Sequence, residues 1–172
     1  MQADRRDFIK ALGATAACAG TGSAARVVPS FASAAQPENR LEGIEAFAFD
    51  AYGTLFDVFS VTALCEELFP GSGTALAQVW RAKQLQYSLL RSLMGRHKDF
   101  WLVTEDALVY GSKSLGLDLF PARRERLMEA YLTLAAFPDV KPGLEALKNQ
   151  GVKLAILSNG EPRMLEAAAK SA

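Results

Sequence analysis

Histidine is nearly missing from this chain: His97 stands alone among 172 residues, and cysteine occurs only as Cys18 and Cys65. That scarcity excludes a cluster of His and Cys metal ligands. With residues 1–34 set aside, Cys65 is the one remaining thiol, so an internal disulfide is excluded too. An excess of charge of one sign is also absent, with 19 Lys and Arg against 19 Asp and Glu. Residues 1–34 hold four of the basic and two of the acidic side chains, leaving 15 against 17 in the rest. Such a balance offers no basic surface to a nucleic acid. The apolar segment Ala11 to Ala19 is too short and too rich in Ala and Gly to span a bilayer. There is no internal repeat and, outside the first residues, no low-complexity tract. What remains from residue 35 onward is enough for one core, since half of the chain is hydrophobic.

The beginning of the chain has its own character. Asp4-Arg5-Arg6-Asp7-Phe8-Ile9-Lys10 sets paired arginines before that apolar segment, and small residues follow up to Ala32-Ser33-Ala34. Residues 1–34 resemble a twin-arginine export signal, although Asp4 stands where Ser or Thr is usual and Ile9 where Leu is usual. The resemblance implies a periplasmic protein with no membrane attachment after export. A basic amphipathic surface helix is the other reading. Cys18 after Ala16-Ala17 suggests lipidation only weakly, because Thr15 suits that motif poorly.

The stretch with the most chemistry is Phe47-Ala48-Phe49-Asp50-Ala51-Tyr52-Gly53-Thr54-Leu55-Phe56. From Ile44 to Phe49 only Glu45 interrupts the apolar residues, and the run stops at a carboxylate. This reads as a buried parallel strand presenting Asp50 at its C-terminal end, where open α/β sheets bind ligands. Gly53 permits a sharp turn and Thr54 brings a hydroxyl near the carboxylate. An aspartate so placed can act as a nucleophile or can cap the element that follows.

From Asp57 to about Phe137 the pattern is helical. Val61, Leu64, Cys65 and Leu68, then Leu76 to Met94, then Leu102 to Val109, then Leu127, Met128, Tyr131 and Leu134 recur at three and four residues, predicting four helices. Breaks are expected at Pro70-Gly71-Ser72-Gly73, at Gly95, at Gly111 and Gly116, and at Pro121. Cys65 reads as a core residue, and His97, between Arg96 and Lys98, as an exposed one. Such an insertion could close over the strand end and exclude water, or simply pack beside the sheet. Pro142 then opens a helix carrying Leu144 and Leu147, Gly151 ends it, and Val152 to Leu157 form a second parallel strand. Ser158-Asn159-Gly160 follows, either as a polar turn or as donors placed beside Asp50. The chain divides accordingly into 1–34, a core made of 44–56 with 138–172, and a helical cap at 57–137.

Phe49-Asp50-Ala51-Tyr52-Gly53-Thr54-Leu55-Phe56-Asp57 resembles the first motif of the haloacid dehalogenase superfamily, in its L-2-haloacid dehalogenase branch. Trp80-Arg81-Ala82-Lys83-Gln84-Leu85, Leu90-Arg91-Ser92-Leu93-Met94, Thr104-Glu105-Asp106-Ala107-Leu108 and Leu154-Ala155-Ile156-Leu157-Ser158-Asn159-Gly160 resemble the same branch in the same order. The resemblance implies a Rossmann-like α/β core with an inserted four-helix cap. It further implies attack by Asp50 on Cα of a small (S)-2-haloacid, giving an ester that water cleaves, with inversion to an (R)-2-hydroxy acid. Arg81 matches the arginine that meets the halide, a role that requires it to face inward on its helix rather than into solvent. Ser158 and Asn159 match residues that bind the substrate carboxylate and halide. Backbone groups at Ala51 and Tyr52 would line the same pocket, though Tyr52 could equally be a core aromatic. A homodimer is compatible with the family.

Phosphatases of the superfamily read Asp-x-Asp, because an alkoxide leaving group needs a proton. Tyr52 occupies that second place here, which suits a halide that leaves without one, and the resemblance to the metal-independent branch implies no metal or other cofactor. A phosphatase is therefore the disfavoured alternative enzyme. The family also carries a Lys near a third strand and a Ser-x-Asn-x-x-Asp segment after a fourth; neither is found before Ala172, and Lys170 in its Ala-rich setting matches neither. The expectation is thus a polypeptide corresponding to about the first two thirds of such an enzyme. A non-catalytic folded remnant is the alternative from another class.

Overall fold

The computed structural model describes residues 43–172, which fall within one compact unit. The export-signal reading of residues 1–34, Cys18 included, lies outside the described residues. The elements run β1 (Ala46–Phe49), a 3₁₀ turn (Val58–Val61), α1 (Thr62–Leu68), α2 (Gly73–Leu93), α3 (Phe100–Ser114), α4 (Pro121–Ala130), α5 (Val140–Asn149), β2 (Lys153–Ile156) and α6 (Pro162–Ser171).

Helix starts follow from local chemistry. Asp99 precedes α3 and its Oδ1 accepts from the Leu102 backbone N–H at 2.7 Å. Asp57 does the same for the 3₁₀ turn, accepting from Phe59 N–H at 2.9 Å. Pro121 and Pro162 occupy the first turns of α4 and α6, where a missing N–H costs nothing.

The four helices between Asp57 and Phe137 enclose one apolar centre. Trp80 on α2 is fully buried, its Nε1 donates to the Thr104 carbonyl of α3 at 2.8 Å, and its ring lies 4.7 Å from that of Tyr131. Leu76, Leu108, Leu127 and Cys65 complete that centre, and His97 is exposed. Leu134 belongs to it as well, but from the segment after α4, which ends at Ala130. Gly111 is a correction: it sits inside α3 and ends nothing. A Cβ there would lie 3.3 Å from Leu76 Cδ1 and 3.6 Å from the Trp80 backbone nitrogen, so its smallness sets how closely α2 and α3 approach. The helical propensity lost at one glycine, about 1 kcal/mol, is outweighed by that packing.

Two linkers hold the helical segment to the strands. Asp57 N–H donates to the Ala135 carbonyl at 2.7 Å and Phe137 N–H to the Leu55 carbonyl at 3.1 Å, so the outgoing and returning chains run side by side in opposite directions. The sheet itself is parallel, with Phe47 opposite Leu154 and Phe49 opposite Ile156. Its burial corrects the expectation of two buried strands: Leu154 is 36% and Ile156 39% exposed, and no residue of β2 is buried. A parallel strand is buried when both faces are covered, and α5 is the helix that lies against β2.

Burial shapes the response to alkali. Desolvation first, and the neighbouring Glu66 second, push the Cys65 thiol from 9.0 up to about 11. The unfolded chain releases that proton first, so the stabilisation is complete below about pH 9 and is lost as pH rises towards the folded value. Between about pH 8 and about pH 11, urea unfolding of the chain is expected to lose on the order of 2 kcal/mol through this group. The Cys65→Ala variant, less stable at the outset, is expected to show a shallower decline, with the remainder coming from Tyr52 and Tyr131, which burial raises in the same sense.

Candidate active site

Asp50 follows the last residue of β1 and is exposed. The turn after it is closed by the Ala51 carbonyl, which accepts from the N–H groups of Thr54, Leu55 and Phe56 at 3.2, 2.9 and 2.9 Å. Gly53 makes that turn possible with φ +97°, a region closed to most side chains. Thr54 is thereby carried back to the strand end, where its Oγ1 donates to Asp50 Oδ2 at 3.3 Å.

The register of the sheet brings the second strand's end to the same place. Leu157 N–H donates to the Phe49 carbonyl at 2.8 Å, and Ser158 and Asn159 follow immediately. Gly160 lets this loop lie on the Tyr52 ring; a Cβ there would come within 2.6 Å of Tyr52 Cε2. Ser158 Oγ accepts from Gly160 N–H at 3.2 Å and is half-buried.

Arg81 arrives from α2. Its guanidinium turns inward: Nη2 donates to the Tyr52 carbonyl and Nη1 to Gln84 Oε1, each at 2.7 Å. Burial lowers its pKa and the nearby Asp50 carboxylate opposes that shift, so the guanidinium remains a cation at neutral pH. Asp50, Tyr52, Arg81, Ser158 and Asn159 share a cavity of about 370 Å³, whose remaining walls are Leu85, Ser88, Leu89, Ser92 and Phe100. Ala51 is not among those walls; it is fully buried and its carbonyl is used by the turn. Tyr52 serves in both capacities, lining the cavity while 4% exposed and packed on Phe56, Phe100 and Tyr131. Burial raises its phenol to about 12, so it stays protonated at neutral pH.

A carboxylate and a guanidinium facing one cavity, with hydroxyl and amide groups at one side and leucines at the other, can hold a small anion with an apolar body. Among the described residues, no three His, Cys, Asp or Glu side chains gather to hold a metal, and no helix is long and apolar enough to cross a membrane. Leu85, Ser88 and Ser92 were open to sequence reasoning, since they follow Arg81 by four, seven and eleven residues on one helical face. Phe100 was not, because it begins a different helix.

Residues 44–172 match the family model described as haloacid dehalogenase-like hydrolase. The (S)-2-haloacid dehalogenase of Pseudomonas sp. (strain YL) is 51% identical over 127 residues, which is 74% of this chain and 55% of that relative. A crystal structure of an L-2-haloacid dehalogenase is similar with a TM-score of 0.72 and 51% identity, over 74% of this chain and 58% of the other. The L-2-haloacid dehalogenase from Xanthobacter autotrophicus with chloropropionic acid covalently bound gives a TM-score of 0.70 at 48% identity, over 74% of this chain and 51% of the other. The chain thus spans about half the length of the relatives it matches, 55% for the Pseudomonas enzyme.

The turn at Gly53 is expected to be the least tolerant point of the cavity. In Gly53→Ala the added Cβ would hold an unfavourable φ and stand 3.3 Å from Arg81 Nη2. Loss of about 1–3 kcal/mol by denaturant unfolding is the expected outcome, with a displaced Arg81 side chain in a crystal structure of the variant.

Proposed function

We propose, from the premise that this chain belongs to the haloacid dehalogenase-like hydrolase family, that its site serves hydrolytic dehalogenation of short (S)-2-haloalkanoic acids. One observation carries the reading: the Arg81 guanidinium is drawn from the helices to the strand-end turn and shares one cavity with Asp50, Ser158 and Asn159. The relative with chloropropionic acid covalently bound supports it from outside the chain.

Asp50 is the proposed nucleophile. Thr54 holds Oδ2, and a carboxylate oxygen attacks Cα from the side opposite the carbon–halogen bond. That bond breaks with its electron pair going to halide, next to the Arg81 guanidinium, which offers charge where charge develops. Ser158 and Asn159 receive the substrate carboxylate, and the Tyr52 ring walls its alkyl part. Water then adds to the Asp50 ester carbonyl carbon, and the 2-hydroxy acid leaves with inverted configuration at Cα. Halide needs no proton to depart, so a protonated, buried Tyr52 two places after the nucleophile takes nothing from the reaction. Export through the twin-arginine route, with action in the periplasm, is proposed on the Arg5-Arg6 segment and the small residues ending at Ala34.

The chemistry is tested by single-turnover hydrolysis of (S)-2-chloropropionate in heavy-oxygen water, run on this chain joined to the remaining sequence of a relative. Label is expected in the Asp50 carboxylate, and Asp50→Asn is expected to slow halide release by at least about a thousandfold while leaving the thermal transition nearly unchanged. Label found only in the product would mean direct attack by water and would remove Asp50 from its role.

Export is read separately with residues 1–40 fused to a reporter. Passage of the folded reporter is expected for the natural sequence and not for Arg5→Lys with Arg6→Lys; a cytoplasmic wild-type fusion would refute the assignment.

A further inference from the structure

Arg81 is held on its far side by an amide that has no freedom of its own. Gln84 lies one helical turn after Arg81 on α2 and is fully buried, as is Thr104 on α3. Gln84 Oε1 accepts from Arg81 Nη1 at 2.7 Å, and Gln84 Nε2 donates to Thr104 Oγ1 at 2.6 Å. Thr104 Oγ1 donates in turn to the Phe100 carbonyl at 2.6 Å.

The direction of every bond in this row is determined. A hydroxyl has one hydrogen, and Thr104 gives it to a backbone carbonyl, so Oγ1 can only accept from Gln84. The Gln84 NH₂ must therefore face Thr104, and its carbonyl oxygen must face the guanidinium. A flipped amide would put two donors against Arg81 and leave an oxygen against an oxygen, which burial makes costly. The remaining anchor, from Nη2 to the Tyr52 carbonyl, fixes only the end of the guanidinium. Two anchors fix its plane.

We propose that Gln84, oriented by Thr104, is the positioning residue that sets the plane and place of the Arg81 guanidinium in the cavity. The assignment rests on the reading of Arg81 as the group that meets halide. Gln84 touches no ligand; it acts through Arg81. An apolar residue would fill the same space between α2 and α3, so the amide's contribution lies in the acceptor it presents to a partly desolvated cation.

The test compares wild type with Gln84→Leu, Thr104→Val and Thr104→Ser in the full chain, using bromide ion as the probe. Two quantities are read: bromide affinity, from isothermal titration calorimetry, and the nitrogen-15 signals of the Arg81 side chain. Gln84→Leu and Thr104→Val are expected to weaken bromide binding about tenfold and to average the Arg81 signals, and Thr104→Ser to restore both. Should Gln84→Leu fail to fold, the two Thr104 variants, which alter one hydroxyl or one methyl, decide alone. Bromide affinity and Arg81 signals unchanged in folded Thr104→Val would overturn the proposal. Should wild type bind no bromide, the halide reading of Arg81 falls; the Arg81 signals then decide the positioning role, loss in Thr104→Val upholding it and no change refuting it.

Discussion

Arg81 leaves the helical part of the molecule and donates to the Tyr52 carbonyl, 2.7 Å away, at the turn that follows β1. Much else depends on this contact. It needs the Ala51–Phe56 turn to aim that carbonyl outward, which needs Gly53 at positive φ. It needs α2 to be level with the turn, which the paired linkers at Leu55–Asp57 and Ala135–Phe137 arrange. A guanidinium taken partly out of water is unfavourable unless its N–H groups find acceptors. Here a backbone carbonyl and the Gln84 amide supply them.

The helices answer to the same requirement. Trp80, next to Arg81 in sequence, points into the apolar centre and ties α2 to the Thr104 carbonyl of α3. Adjacent residues on a helix lie about 100° apart, so a buried tryptophan beside an arginine leaves the arginine at the margin of the core. That margin is the cavity. The indole and the Gln84 amide both end at Thr104, one at its carbonyl and the other at its hydroxyl, so one residue of α3 fixes both. Gly111, further along α3, permits the close approach that makes this geometry available.

The strand ends contribute by register. Parallel pairing of Phe49 with Ile156 sets Asp50 level with Leu157, so that Ser158 and Asn159 begin one residue beyond the level of Asp50 on the neighbouring strand. Because every side chain changes face with a one-residue slip, the cavity's composition is a consequence of that register.

Much was legible in the residues themselves. A run ending in Asp50, a glycine two residues before Leu55 and a helical spacing through Trp80 and Arg81 name the elements and their order, because each rests on local backbone preference or on periodicity. The motif likeness adds which residues to watch. Three-dimensional packing decided the rest. Gly111 looked like a terminus, since propensity cannot tell a helix end from a helix contact. That the Ala51 carbonyl would be taken up by three N–H groups of its own turn was not visible in the sequence. Apolar composition predicted buried strands, whereas burial depends on what covers a sheet, which no strand encodes about itself. Whether Arg81 faced solvent or the cavity was likewise undecided at the level of sequence: the helix sets only its angle relative to Trp80. The partners that settle the matter, the Tyr52 carbonyl and the Gln84 amide backed by Thr104, come together from three separate segments of the chain.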